Sequence, residues 1–255
     1  MKFIYYAFFL LHPLFDLLGS SLLEEANLNY QKGEQAASYP ERKKAFNQAL
    51  KLYLQLEEQE GGSSSALNQA LADTYFQLGE YPWSILYNYR ALKLDPGNSL
   101  ILSHLALAKE KLGLDPAPPS YSRLYNFAFT PFLSFPHRFE LIFWALLATL
   151  LTGSMAIWWN KTFLNYLFAF SSLSAFLLLS NVLLTFYFGP IEAILVRSTG
   201  LYRAPDIQFS QLSSQPLLTG SKVRVANIEE QGTWLKIITD QGQVGYIPAF
   251  AARLI

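Results

Sequence analysis

The chain reads as a multidomain membrane protein: an α-helical repeat solenoid, then a two-helix transmembrane hairpin, then a small all-β barrel. Three observations carry that reading. Charged residues make up 15% of the 255 positions, against about a quarter in ordinary soluble domains. The deficit is local, because Lys161 is the only charged side chain between Glu140 and Glu192. The hydrophobic period also changes, from about 3.6 residues before that stretch to about 2 after it.

Residues 1–20 begin with Lys2 and continue as the apolar run Phe3-Ile4-Tyr5-Tyr6-Ala7-Phe8-Phe9-Leu10-Leu11, too short to span a bilayer comfortably. A positive start before a short apolar core is the pattern of an export signal, here either removed or kept as an N-terminal anchor.

Residues 21–114 are polar and helical. Leu67, Ala70, Leu71, Thr74, Tyr75 and Leu78 fall on one helical stripe that Gly79 ends. Pro82 starts the next helix, which presents Ile85, Leu86, Tyr89 and Leu92 and stops at Asp95-Pro96-Gly97-Asn98. Ile101, Leu105, Ala108 and Leu112 mark a third helix before Gly113. Connections this short make neighbouring helices antiparallel. Tyr39-Pro40 followed by Ala49-Leu50-Lys51-Leu52 recurs 42 residues later as Tyr81-Pro82 followed by Ala91-Leu92-Lys93-Leu94. Two related helical hairpins follow from this, with Gly61-Gly62-Ser63-Ser64-Ser65 as the joint between them.

Residues 115–137 open with the proline-rich linker Asp115-Pro116-Ala117-Pro118-Pro119-Ser120 and continue as an aromatic segment suited to the headgroup layer. Residues 138–188 form the hairpin. Phe139 to Trp159 reaches about 31 Å as a helix, the thickness of the hydrocarbon core. Trp158 and Trp159 mark its far end, Asn160-Lys161-Thr162 turns, and Phe163 to Phe188 returns. Ser171, Ser172, Ser174 and Asn181 are read as links between helices, because a hairpin without charges cannot line a selective path.

Residues 190–255 alternate. Lys222-Val223-Arg224-Val225-Ala226, Trp234-Leu235-Lys236-Ile237-Ile238 and Val244-Gly245-Tyr246-Ile247 read as strands, with a turn at Asp240-Gln241-Gly242. Ala193-Ile194-Leu195-Val196 opens this domain and Leu254-Ile255 closes it. A small barrel of this kind removes open strand edges.

Several function classes are unfavoured. Lysine plus arginine (19) equals aspartate plus glutamate (19), so no basic excess points to nucleic acid. Zero cysteines exclude disulfides, thiolate metal sites and thiol nucleophiles, and the three histidines, His12, His104 and His137, share no ligand spacing. No phosphate loop, His-Glu-x-x-His, Gly-x-Ser-x-Gly or Ser-x-x-Lys motif occurs. The expectation is a protein that is no enzyme and needs no cofactor or metal.

Leu71, Tyr75, Gly79, Tyr81, Ala91 and Pro96 resemble the tetratricopeptide repeat of about 34 residues, with Asn68, Ala72, Ser84 and Asn88 departing from its pattern. That resemblance implies a concave groove faced by Gln69, Asp73, Phe76 and Gln77, in which Asp73 repels a peptide's terminal carboxylate. Gly220-Ser221-Lys222-Val223, Gly232-Thr233-Trp234-Leu235-Lys236-Ile237 and Gly242-Gln243-Val244-Gly245-Tyr246-Ile247-Pro248 resemble bacterial SH3-type domains, which makes Trp234 and Tyr246 ligand candidates. In its segment order the whole chain resembles BatE-like proteins of bacterial aerotolerance loci. The resemblance implies a multi-pass protein of the bacterial inner membrane with its soluble parts in the periplasm. It further implies a scaffold for other proteins, including membrane-bound von Willebrand factor A domain proteins. The alternative is an anchor that binds peptidoglycan through the SH3-type domain.

Overall fold

The structure is a computed structural model that describes residues 21–60, 64–115, 135–159, 161–213 and 215–255. The segments read as an export signal (1–20) and as the proline-rich linker with most of the aromatic stretch (116–134) lie outside the described residues, as do Gly61, Gly62 and Ser63.

Five helices come first: α1 (21–35), α2 (Tyr39–Glu60), α3 (Ser65–Gln77), α4 (Tyr81–Leu94) and α5 (Ser99–Lys111). Local chemistry sets their ends. The Ser64 side chain accepts from the Leu67 amide at 3.1 Å and starts α3, and Asn98 accepts from Leu100 and Ile101 to start α5. Pro82 sits in the first turn of α4. Gly79 and Gly113 take positive φ just beyond α3 and α5. Both Tyr-Pro pairs open a helix, and Ala49 and Ala91, ten residues on in each copy, are fully buried. The stretch from Gln35 to Ser38, which interrupts the first copy, is the last residue of α1 plus a three-residue connection, 36–38.

The helical core gathers Ala26, Ala49, Tyr53, Leu56, Leu67, Leu71, Ala72 and Tyr87. Tyr75 stacks between Trp83 and Tyr87, with centroids 5.7 and 5.5 Å away, so neighbouring tyrosines supply the aromatic filling that Asn88 does not.

Two further helices, α6 (Phe135–Trp159) and α7 (Thr162–Phe188), pack against each other and are long and apolar enough to cross a membrane. Buried residues make up only 6% and 11% of their apolar windows, so neither resembles the core helix of a soluble body. Their seam holds Ile142, Ala175 and Val182, with the Phe168 ring against Gly153, where an added Cβ would lie 3.0 Å from it. Thr152 Oγ1 meets Ser171 Oγ at 3.1 Å across the seam. Ser171 thus links the two helices as its sequence position suggests.

The rest is a five-stranded antiparallel sheet, β1 (Ile191–Leu195), β2 (Lys222–Glu229), β3 (Trp234–Ile238), β4 (Val244–Pro248) and β5 (Ala252–Leu254), in the order β4-β3-β2-β1-β5. Ala193, Leu195, Val223, Val225, Leu235, Ile237 and Ile247 fill its core with Leu201. The outer edge of β4 is covered by the long loop after β1, through paired amide–carbonyl bonds between Tyr202 and Tyr246 of 2.9 and 2.8 Å.

The sheet does not stand apart from the helices. Ala193 and Leu195 turn into the sheet core, while Ile194, on the opposite face of β1, packs with Ile85, Leu86, Leu105 and Ala108 of α4 and α5. Polar links rim this joint: Arg90 Nη2 donates to the Leu254 carbonyl at 3.0 Å and Lys93 Nζ to the Ile255 carbonyl at 3.2 Å. Arg253 lies over Trp83, and Lys222 over Tyr89 at 4.7 Å. Gly220, at φ +81°, leaves no room for a side chain, since a Cβ there would lie 2.6 Å from Leu112 and 2.9 Å from Ile85. Residues before and after the hairpin therefore share one apolar core.

Candidate functional site

Two surfaces collect the residues that the sequence singles out. The first runs across α1, α3 and α5. Asp73 projects from α3 and meets His104 of α5, Oδ1 to Nδ1 at 2.7 Å, both side chains partly exposed. The pair links α3 to α5. Burial raises the Asp73 carboxyl above the usual carboxylate range; His104 opposes the rise and Glu34 adds to it. Tyr30 of α1 joins the same neighbourhood. Its hydroxyl is pushed up to about 12 by burial first and then by Asp73 and Glu34, with the Gln77 side chain working the other way. Burial and Asp73 push Tyr53 up to about 12 as well, and its hydroxyl donates to Asn27 Oδ1 at 2.7 Å.

Of the four residues expected in the groove, Asp73 and Gln77 stand on this polar face and Gln69 is half-buried. Phe76 goes elsewhere. Its ring meets Tyr81 edge-on at 5.3 Å and packs on the cluster that joins helices to sheet. His104 and Glu34 are the ionisable neighbours that act on the Asp73 carboxyl. His104 was missed because its partner lies 31 residues away in sequence.

The second surface is the outer face of β3 and β4. Trp234 pairs with Pro248 and Lys236 with Tyr246, which puts all four side chains on the face opposite Leu235, Ile237 and Ile247. Trp234 and Tyr246 thus lie on the same face, but their exposure differs. Trp234 is only 8% exposed because Tyr202 covers it edge-on at 5.6 Å, whereas Tyr246 is half-buried with Lys236 Nζ 5.8 Å from its ring. Tyr202 carries no signal in sequence, since the loop that holds it shows no regular period.

The two surfaces carry aromatic faces, amides and one carboxyl–imidazole pair. No group of three or more His, Asp or Glu side chains able to hold a metal occurs among the described residues. No family model matches the chain, nor does any curated protein or solved structure match it significantly.

Proposed function

We propose that the chain is a membrane-anchored scaffold of the bacterial envelope, holding other proteins at the membrane surface through a tetratricopeptide-like helical face and an SH3-like sheet. One observation carries this reading: Ile85, Leu86 and Leu105 share a core with Ile194, although a hairpin long enough to cross a bilayer and return lies between them in the chain. Segments that bury side chains against each other must occupy the same side of a membrane. The hairpin is then an anchor inserted into a loop of one soluble body, and an export signal at 1–20 would put that body in the periplasm.

The successive packing of α2 on α3, α3 on α4 and α4 on α5, with the buried Ala49, Ala72 and Ala91, supports the repeat-like part. The strand order, and the short helical turn Ala249–Ala251 between β4 and β5, support the SH3-like part. The class of partner, von Willebrand factor A domain proteins at the membrane, rests on the resemblance to BatE-like proteins alone.

Because the chain lacks cysteine, single substitutions test the topology directly. Lys43→Cys and Gln241→Cys should react alike with a membrane-impermeant maleimide on intact spheroplasts, and Lys161→Cys should not. If Lys43→Cys and Gln241→Cys split, the reading is wrong. The placement of Trp234 and Tyr246 on one face of β3 and β4 favours a second reading, a peptidoglycan anchor. Loss of wall co-sedimentation by Trp234→Ala, with partner capture intact, would select it.

A further inference from the structure

The membrane hairpin contains a buried cation with no anion beside it among the described residues. Arg138, in the first turns of α6, is 7% exposed, and its Nη1 donates to Asn181 Oδ1 and Thr185 Oγ1 of α7, each at 3.3 Å. Both acceptors are neutral. The ion pairs among the described residues are Arg90–Glu57, His104–Asp73 and Lys222–Glu192, and none includes Arg138. Glu140 is exposed, and residues two apart on a helix do not face each other.

A charge withdrawn from water needs a compensating charge. The position says where that charge comes from. Thr185 lies within one turn of Gly189, where α7 ends before β1, so Arg138 sits at the end of the hairpin nearest the soluble body. Exposed aromatics ring that end: Phe139 (53%), Phe186 (75%) and Tyr187 (73%). Such rings settle at the headgroup level of a bilayer, where the abundant anion is the lipid phosphodiester. A guanidinium has more N–H donors than Nη1 supplies, and its edges form the two-pronged fork that matches phosphate oxygens.

We propose that Arg138 binds the phosphate of an anionic phospholipid, which completes the hairpin at its membrane entry. The inference rests on the reading of α6 and α7 as spanning helices. In a net-neutral lipid the choline cation competes for the same phosphate, so the site favours a headgroup with net negative charge.

The test uses the full chain in mild detergent, with lipid retention read by native mass spectrometry. The wild type should retain phosphatidylglycerol about tenfold better than phosphatidylcholine, Arg138→Gln should bring the two to equality, and Arg138→Lys should keep part of the preference. Phosphatidic acid should displace phosphatidylglycerol from the wild type and diacylglycerol should not, a comparison that needs no variant. Equal retention of the two lipids by the wild type, full preference in Arg138→Gln, or cross-linking of Arg138 to an acidic residue of a co-purified helix overturns the proposal. An alkaline carbonate wash of the same membranes separates the failures. Release of the wild-type chain overturns the spanning reading together with this one, whereas a retained chain with unselective lipid binding overturns this one alone.

Discussion

The joint between helices and sheet and the seam between α6 and α7 are both apolar contacts, yet they are built in opposite ways. At the joint Ile85, Leu86 and Ile194 have no exposure at all, and the charged links to Leu254 and Ile255 lie at the rim. In the seam Ile142, Ala175 and Val182 are the buried apolar residues among those described, while the polar pairs Thr152–Ser171 and Arg138–Asn181 lie inside. Large outward side chains such as Phe143 and Trp144 stay open. Water drives Ile and Leu together at the joint; α6 and α7 are long and apolar enough to cross a membrane, and in lipid, whose tails are as apolar as Leu, such a pair would be held by close approach and hydrogen bonds.

That contrast makes unequal demands on substitutions. Ile194→Ala should cost about 2–5 kcal/mol in denaturant unfolding of the full chain, because α4 and α5 hold the cavity walls in place. A cost below that of a surface change would mean that the joint is not cooperative with the rest. Gly220→Ala should cost about 1–3 kcal/mol, since its new Cβ meets Leu112 and Ile85 in a backbone conformation that favours glycine. A neutral result would show that the joint can open at no cost.

Lys109 tests the joint's tolerance of charge. It is 8% exposed, with Nζ 5.5 Å from the Tyr89 ring. Burial first, and then Lys222, lower its pKa below the usual 10.5, and Asp115 opposes them. Between the lowered value and 10.5 the unfolded chain binds more protons, so this residue makes stability rise with pH across that window. Lys109→Met should remove the alkaline rise and gain on the order of 1 kcal/mol at neutral pH. A loss instead would mean that the ammonium's contact with Tyr89 outweighs its burial. In the seam the expected effect is smallest. Thr152→Ala should cost about 0.6 kcal/mol in a detergent or bilayer unfolding assay, and a cost as large as that of Ile194→Ala would remove the contrast altogether.

Much of the fold is legible in the order of residues. The spans follow from uninterrupted apolar length, the strands β2 to β4 from alternation, and the helix starts from Ser64, Pro82 and Asn98. The joint was legible only in retrospect. Ala193-Ile194-Leu195 does not alternate as β2 and β3 do, and an unbroken apolar run is how a strand covered on both faces reads. Nothing in that run says what covers the second face. Gly220 likewise stands in the sequence as a motif glycine, while its reason lies in Leu112 and Ile85, more than a hundred residues earlier. The candidate surfaces divide in the same way. Trp234 and Tyr246 could be assigned to strand positions from period, whereas Tyr202 over Trp234 and His104 beside Asp73 depend on how distant elements approach.

By itself the sequence determined which segments are helix, strand or apolar span, because period and turn chemistry act between residues a few positions apart. The tertiary structure decided which faces meet: that β1 is shared by two cores, that Phe76 packs into the joint, and that Arg138 closes on Asn181 and Thr185. Burial rewards any sufficiently apolar partner. Only the packed geometry of the whole chain selects one.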